Sequence, residues 1–109
     1  MLSAVTVDTT SSAFDVSKRQ QITIQFVAAS ITSGNGVFTI DGSNDGSNWV
    51  TGISFRDAKA TASDTWIVTK TLSSNSSEAA FVPAGFRYLR VSVNLTTDGA
   101  YSAILQNGG

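Results

Sequence analysis

Hydrophobic and polar residues alternate with a period of two along several short segments of this 109-residue chain. The alternation is clearest in residues 20–29 and 86–95. A period of two puts every second side chain on the same face of a β-strand, so these segments are predicted to be strands with one apolar face. The residues predicted to point into one shared core are Ile22, Ile24, Phe26, Phe38, Ile40, Leu89, Val91, Val93 and Leu95.

The segment 36–51 contains the strongest turn signal of the chain. Apolar and polar residues alternate from Phe38 onwards, the sequence Asn-Asp-Gly follows at 44–46, and the alternation resumes at Trp49. Asn, Asp and Gly tolerate the positive φ angles that tight hairpin turns require. We therefore predict a β-hairpin whose second strand runs from Trp49 to about Phe55.

Four further segments are rich in β-branched, aromatic or aliphatic residues and are predicted to be strands. They are residues 2–7, 65–72, 78–82 and 100–106. The dipeptide Asp98-Gly99 favours a tight turn. Residues 100–106 are therefore predicted to be the hairpin partner of strand 86–95.

About eight short strands with no helical pattern between them predict an all-β fold. The expected architecture is an antiparallel β-sandwich or jelly roll that forms a single domain over residues 1–109, since this length suffices for one hydrophobic core. Residues 1–12 are interpreted either as an N-terminal arm that pairs with a neighbouring copy or as an edge strand of the same sandwich.

Composition and charge narrow the classes of function. The chain has seven basic and eight acidic residues and no basic cluster, so nucleic acid is not an expected partner. No apolar stretch approaches the ~18 residues of a membrane span, and the N-terminus does not resemble a signal peptide. We expect synthesis in the cytoplasm and no membrane partner.

Two residue types that are widely used in catalysis are missing from the sequence. The chain contains no His and no Cys, which removes the usual groups for acid–base chemistry near neutral pH and for transition-metal binding. No Gly-rich phosphate loop leads into a helix. We therefore expect a protein that is not an enzyme, with no cofactor and no catalytic residues.

One stretch resembles the opening of a calcium-binding loop. Asp41, Ser43 and Asp45 supply oxygen atoms at alternate positions, and Gly46 permits the sharp turn. The twelfth position, which carries a bidentate Glu in such loops, is Gly52 here. The favoured interpretation is a hairpin turn whose Asp and Asn side chains bind local backbone. A calcium site is the weaker alternative.

Four aromatic residues on predicted strands allow two interpretations. They are Trp49, Trp66, Tyr88 and Tyr101. Aromatic rings on strands usually pack in the core or against a cross-strand neighbour, which is the favoured interpretation. The alternative is a platform of exposed rings that binds carbohydrate.

The segments 38–49 and 86–91 together carry a family resemblance. The first, Phe-Thr-Ile-Asp-Gly-Ser-Asn-Asp-Gly-Ser-Asn-Trp, and the second, Phe-Arg-Tyr-Leu-Arg-Val, resemble the hairpin and the Arg-rich strand of discoidin-like, galactose-binding-like β-sandwiches. They are also similar to segments of small virion proteins of tailed phages. The discoidin resemblance implies sugar or lipid binding through loops, and the phage resemblance implies a structural role.

From these observations we expect a virion structural protein, such as a head-decoration subunit or another capsid- or tail-associated subunit. Its partners would be copies of itself and other virion proteins, and its location the virion. The alternative is a non-catalytic carbohydrate-binding module with a discoidin-like sandwich.

Overall fold

Eleven β-strands are present in the residues that the computed structural model describes, which are 2–18, 22–57, 66–83 and 85–105, and these residues contain no helix. Positions 20, 21, 65 and 106, at the ends of predicted strands, lie outside these ranges. The strands are β1 (Leu2–Val5), β2 (Thr9–Thr10), β3 (Phe14–Asp15), β4 (Ile22–Ala29), β5 (Asn35–Ser43), β6 (Phe55–Asp57), β7 (Trp66–Ile67), β8 (Lys70–Leu72), β9 (Ser76–Val82), β10 (Tyr88–Thr96) and β11 (Ala100–Leu105).

The strands form two antiparallel sheets that pack on each other. The six-stranded sheet has the order β1-β11-β4-β9-β6-β7, and the five-stranded sheet has the order β2-β10-β5-β8 with β3 also paired to β10. Phe26 of β4 and Phe38 of β5 stack across the interior with ring centres 4.5 Å apart. The predicted all-β antiparallel sandwich is therefore confirmed.

The core consists mainly of the residues that the alternation predicted. Eight of the nine predicted core residues are buried, and the ninth, Leu95, is partly buried and packs against the others. Tyr101 and Phe55 are also fully buried, and both rings contact the stacked Phe26–Phe38 pair edge-on. Each sheet therefore contributes one apolar face to a single core.

The structure has three strands more than the expected eight, because β2 and β3 lie outside the segments predicted to be strands and because one predicted strand is divided between the sheets. The segment predicted as one strand at 65–72 contains β7, which pairs with β6 in the six-stranded sheet, and β8, which pairs with β5 in the five-stranded sheet. The chain crosses between sheets at Val68 and Thr69. A continuous β-prone sequence carries no local signal for such a crossing.

The hairpin predicted between 86–95 and 100–106 is wrong. β11 pairs with β4 and β1, whereas β10 pairs with β5, so the Asp98-Gly99 turn joins strands of opposite sheets. The Asp98 carboxylate accepts hydrogen bonds from the N–H groups of Thr32 and Gly34, the latter at 3.0 Å. These contacts hold the turn against the connection between β4 and β5 at the end of the sandwich. Local sequence patterns cannot predict them, because the residues involved are more than 60 positions apart.

The second strand of the hairpin at 36–51 is much shorter than predicted. Val50 and Gly42 exchange two backbone hydrogen bonds of 2.8 and 3.0 Å, and the N–H of Ile53 donates to the carbonyl of Ile40 at 2.9 Å. The chain then leaves this edge and enters the six-stranded sheet as β6. The second strand is short because β8 pairs with the first part of β5, at 36–38. This leaves only the last part of the same edge of β5 for residues 50–53.

The N-terminal residues pair within their own sandwich. Leu2 lies opposite Ala103 and Val5 opposite Tyr101, with a register irregularity between the two positions. The Leu2 side chain is buried in the core. Within one chain, Leu2–Val5 thus forms an edge strand of the six-stranded sheet.

Candidate interaction face

The outward side of the six-stranded sheet carries a row of large side chains at one end. Register places Arg56 of β6 between Trp66 of β7 and Phe81 of β9, each directly opposite it. The guanidinium of Arg56 lies 4.8 Å from the centre of the Phe81 ring. Trp66 is 52% exposed and Phe81 39% exposed, so water covers much of both rings.

We call this outward side the six-stranded face. Its other side chains are those that alternate with core residues on β4, β9 and β11. Most are small or uncharged, and Ile104 is an exposed aliphatic side chain among them. On β4, β6, β7, β9 and β11, the described residues of the face are Trp66, Arg56, Phe81, Ala79, Ser77, Thr23, Gln25, Val27, Ala29, Ala100, Ser102 and Ile104.

One end of the six-stranded face carries the side-chain types that are typical of the centre of an interface. Arg56 is the single charged side chain among its described residues. Aromatic residues and Arg are enriched in protein interfaces, while Lys, Asp and Glu are depleted from their centres. The largest interface contributions come from Trp, Tyr and Arg. The row formed by Trp66, Arg56 and Phe81 is therefore the candidate contact point.

The outward side of the five-stranded sheet, the five-stranded face, is organised differently. Arg90 of β10 donates from Nε to Oδ2 of Asp41 on β5 at 2.9 Å, and Asp41 is only 4% exposed. The Trp49 ring covers Arg90, with the guanidinium 4.2 Å from its centre. The N–H of Gly52 donates to the other Asp41 oxygen at 3.2 Å. These polar groups are bound by other groups of the same chain.

The calcium candidates serve two separate arrangements. Asp45 accepts hydrogen bonds from the N–H groups of Asn48 and Ser47 at 2.8 and 2.9 Å, while Ser43 donates to the Asn48 carbonyl at 2.6 Å. Asp41 instead binds Arg90. Within the described ranges, no three His, Cys, Asp or Glu residues are grouped as a metal site would need.

The turn also determines the ionisation of Asp45. Hydrogen bonds from the Asn48 backbone, the Asn48 side chain and the Ser47 backbone hold the pKa of the Asp45 carboxyl well below its ordinary value. Gly46 follows with φ of 77°, as the turn prediction required. Asp45 is thus a turn-closing residue, which agrees with the favoured interpretation of this segment.

The four aromatic candidates are not brought together. Tyr101 is in the core, as the favoured interpretation required, and Trp49 and Tyr88 lie on the five-stranded face. Trp66 alone of the four lies on the six-stranded face. Sequence reasoning missed its neighbours Arg56 and Phe81. The alternation of Phe81 with the apolar residues on either side of it was the available signal for its outward position.

Comparisons with models of protein families, with curated proteins and with solved structures find no match to this chain. Among the residues described, no helix is long and apolar enough to cross a membrane. A sandwich fold hosts many unrelated functions, so function has to be argued from the surface of this molecule.

Proposed function

We propose that the protein is a structural subunit of a virus particle, a head-decoration subunit or another capsid- or tail-associated subunit that acts by contact rather than by catalysis. The observation that carries the contact role is the six-stranded face, where exposed Trp66 and Phe81 flank Arg56 on a surface otherwise short of charge. The virion role is supported by the resemblance of segments 38–49 and 86–91 to small tailed-phage proteins.

The size of the six-stranded face suits a weak, repeated contact. Six strands that lie about 4.8 Å apart and have two to eight residues, at about 3.3 Å per residue, give several hundred Å² per copy. This area lies at the low end for specific interfaces, which contribute about 800 Å² per partner. Weak contacts of this kind become stable in a particle because many copies bind together and gain avidity.

The occupant we propose for the six-stranded face is a second copy of the chain. Two copies related by a twofold axis would bring the same patch together on both sides. Since Arg56 is the one described charge on the face, such pairing buries few like charges. The aromatic rings and small side chains supply apolar area that water now covers.

The test is static light scattering on the purified chain over a series of concentrations. We expect the apparent mass to rise with concentration, and we expect the variant Trp66→Ser/Phe81→Ser to remain monomeric. Val50→Ser is the matched control, because Val50 is 55% exposed but lies off this face, and it should associate like the unchanged chain. A monomeric unchanged chain, or a double variant that associates normally, would contradict the proposed contact.

The virion role needs a separate measurement. Mass spectrometry of purified particles from the source should detect the chain in many copies, and labelling with a specific antibody should place it on the particle in electron micrographs. If the chain is absent from purified particles, the virion role is excluded even when self-association is observed.

The second candidate is a carbohydrate-binding module that uses the same row. Trp66 and Phe81 present exposed rings, and Gln25 adds an amide to the face. Rings and amides together suit the apolar and hydroxyl surfaces of a sugar. A glycan array probed with the unchanged chain and with Trp66→Ser separates the candidates, because only the carbohydrate module predicts signals that the substitution removes.

A further inference from the structure

One lysine and two carboxylates meet between the two sheets, away from both outer faces. Lys70 lies on β8 of the five-stranded sheet, while Asp57 and Glu78 lie on β6 and β9 of the six-stranded sheet. The Nζ atom of Lys70 is 2.6 Å from Oδ2 of Asp57 and 3.8 Å from Oε1 of Glu78. The three side chains are 21%, 17% and 16% exposed, respectively.

The strand pattern directs these groups toward the interior. Lys70 is the cross-strand partner of Phe38, and Glu78 is the partner of Phe26, the two rings that stack in the core. Asp57 lies opposite buried Ala80. The ionic cluster therefore lies between the sheets at the border of the core and is partly exposed. By contrast, the ion pair of Arg87 and Asp15 has side chains that are about half exposed.

We propose that Lys70 and Asp57 condense into a side-chain amide that joins the two sheets covalently, with Glu78 transferring the protons. Glu78 takes a proton from the Lys70 ammonium and passes it to the Asp57 carboxylate, and the free amine then attacks Cγ of the neutral Asp57 carboxyl. A C–N bond forms and a C–O bond of the carboxyl breaks. The departing oxygen leaves as water with two protons from the lysine nitrogen, of which Glu78 carries one. An ammonium and a carboxylate are thereby converted into one amide and one water, with no oxidant or co-reactant.

Three physical features of the cluster favour this reaction. First, a nitrogen in hydrogen-bond contact with a carboxylate oxygen lies roughly 3–3.5 Å from the carboxyl carbon, the separation of a near-attack geometry. Second, the fold holds the groups together permanently, which corresponds to a very high effective concentration. Third, a buried ion pair suffers a desolvation cost that a neutral amide does not, so partial burial shifts the balance toward condensation.

The residue types also match the chemistry. A lysine amine becomes a nucleophile once it loses a proton, whereas an arginine stays charged and unreactive. Asp57 supplies the electrophilic carbon, and the second carboxylate at 3.8 Å can accept the proton that blocks the amine. The product would link β6 to β8 and prevent the sheets from separating. This inference does not depend on the proposed virion role.

The test is the intact mass of the purified full-length chain after unfolding in denaturant. We expect a mass lower than that calculated from the sequence by one water molecule. Trypsin cleaves after Arg56 and Lys59 but not after an acylated lysine. Tandem mass spectrometry should therefore find peptide 57–59 joined through Asp57 to Lys70 within peptide 60–87.

Substitutions of the three residues identify which side chains form the amide bond. Lys70→Arg and Glu78→Gln should show the full calculated mass, and Asp57→Asn should lose ammonia instead of water, since the leaving group is then an amide nitrogen. Lys70→Arg also excludes another source of water loss, a cyclic imide at the Asp-Gly sequences, because that loss would persist in the variant.

The unchanged chain decides the question whether or not a variant folds. A folded chain that retains its calculated mass after prolonged incubation, with Asp57 and Lys70 on separate peptides, overturns the proposal. Water loss that persists in Lys70→Arg overturns it as well. Complete reaction in Glu78→Gln would overturn the role of Glu78 in proton transfer.

Discussion

The two outer faces of the sandwich differ in where their large side chains find partners. On the five-stranded face, Trp49 covers Arg90 and Arg90 binds a buried Asp41. The ring, the cation and the anion therefore all have partners within the same chain. On the six-stranded face, Arg56 contacts Phe81, and the Trp66 ring remains half exposed. The first arrangement contributes to stability, while the second leaves apolar area exposed to water.

The difference follows from the path of the chain after β5. The loop that follows β5 runs back along its edge, which places Trp49 over Arg90 and the Gly52 N–H against Asp41. Gly52 lies in this loop and has a φ of 70°, which glycine adopts more easily than other residues. Substitutions on the two faces should consequently have different effects: on the five-stranded face they should change stability, and on the six-stranded face they should change association.

The largest effect is expected at Asp41. Asp41→Ala leaves Arg90 without its anion and the Gly52 N–H without its acceptor, which should lower the free energy of unfolding by about 2–4 kcal/mol. The measurement is urea denaturation followed by tryptophan fluorescence. Arg56→Ala on the other face is the control and should cost less than about 1 kcal/mol. Equal costs would show that the faces do not differ as described.

The two tryptophans provide a matched pair for the next effect. Trp49→Ser removes the ring over Arg90 and should lower the free energy of unfolding by about 1–2 kcal/mol. Trp66→Ser removes a ring that is about half exposed, so it should lower the free energy of unfolding by less than Trp49→Ser does. Both values come from denaturation at a protein concentration low enough to keep the chain monomeric. A larger loss at Trp66 would mean that this ring is structural.

The smallest effect on stability is expected for substitution of Asp45, and it should be seen only at pH values where the Asp45 carboxyl is charged. Its folded pKa lies below the unfolded value near 4, so the charged carboxylate stabilises the fold above about pH 4, and this contribution is lost as the pH falls through the folded pKa. Asp45→Asn should lower the melting temperature slightly at neutral pH, and the difference from the unchanged chain should shrink in acid. Trp66→Ser should show no such pH dependence. A difference that grows in acid would contradict the assignment.

Much of the strand pattern and core could be predicted from sequence because both depend on local periodicity. Alternation identified β4, β5 and β10, and it placed Phe26 and Phe38 in the core, where they stack. The Asn-Asp-Gly turn was predicted from residues that accept a positive φ, and Gly46 has one. For the candidate face, the sequence drew attention to Trp66 as one of four rings, without indicating which of them would be exposed.

Only the tertiary structure decided which strands pair and which polar faces are covered. The turn at Asp98-Gly99 suits a hairpin, yet its carboxylate binds the backbone at 32–34 and the chain crosses to the other sheet. The row of Trp66, Arg56 and Phe81 forms because β6 lies between β7 and β9. Alternation determines which side chains of one strand share a face. The neighbouring strand is selected by contacts between residues far apart in sequence, which local patterns do not encode.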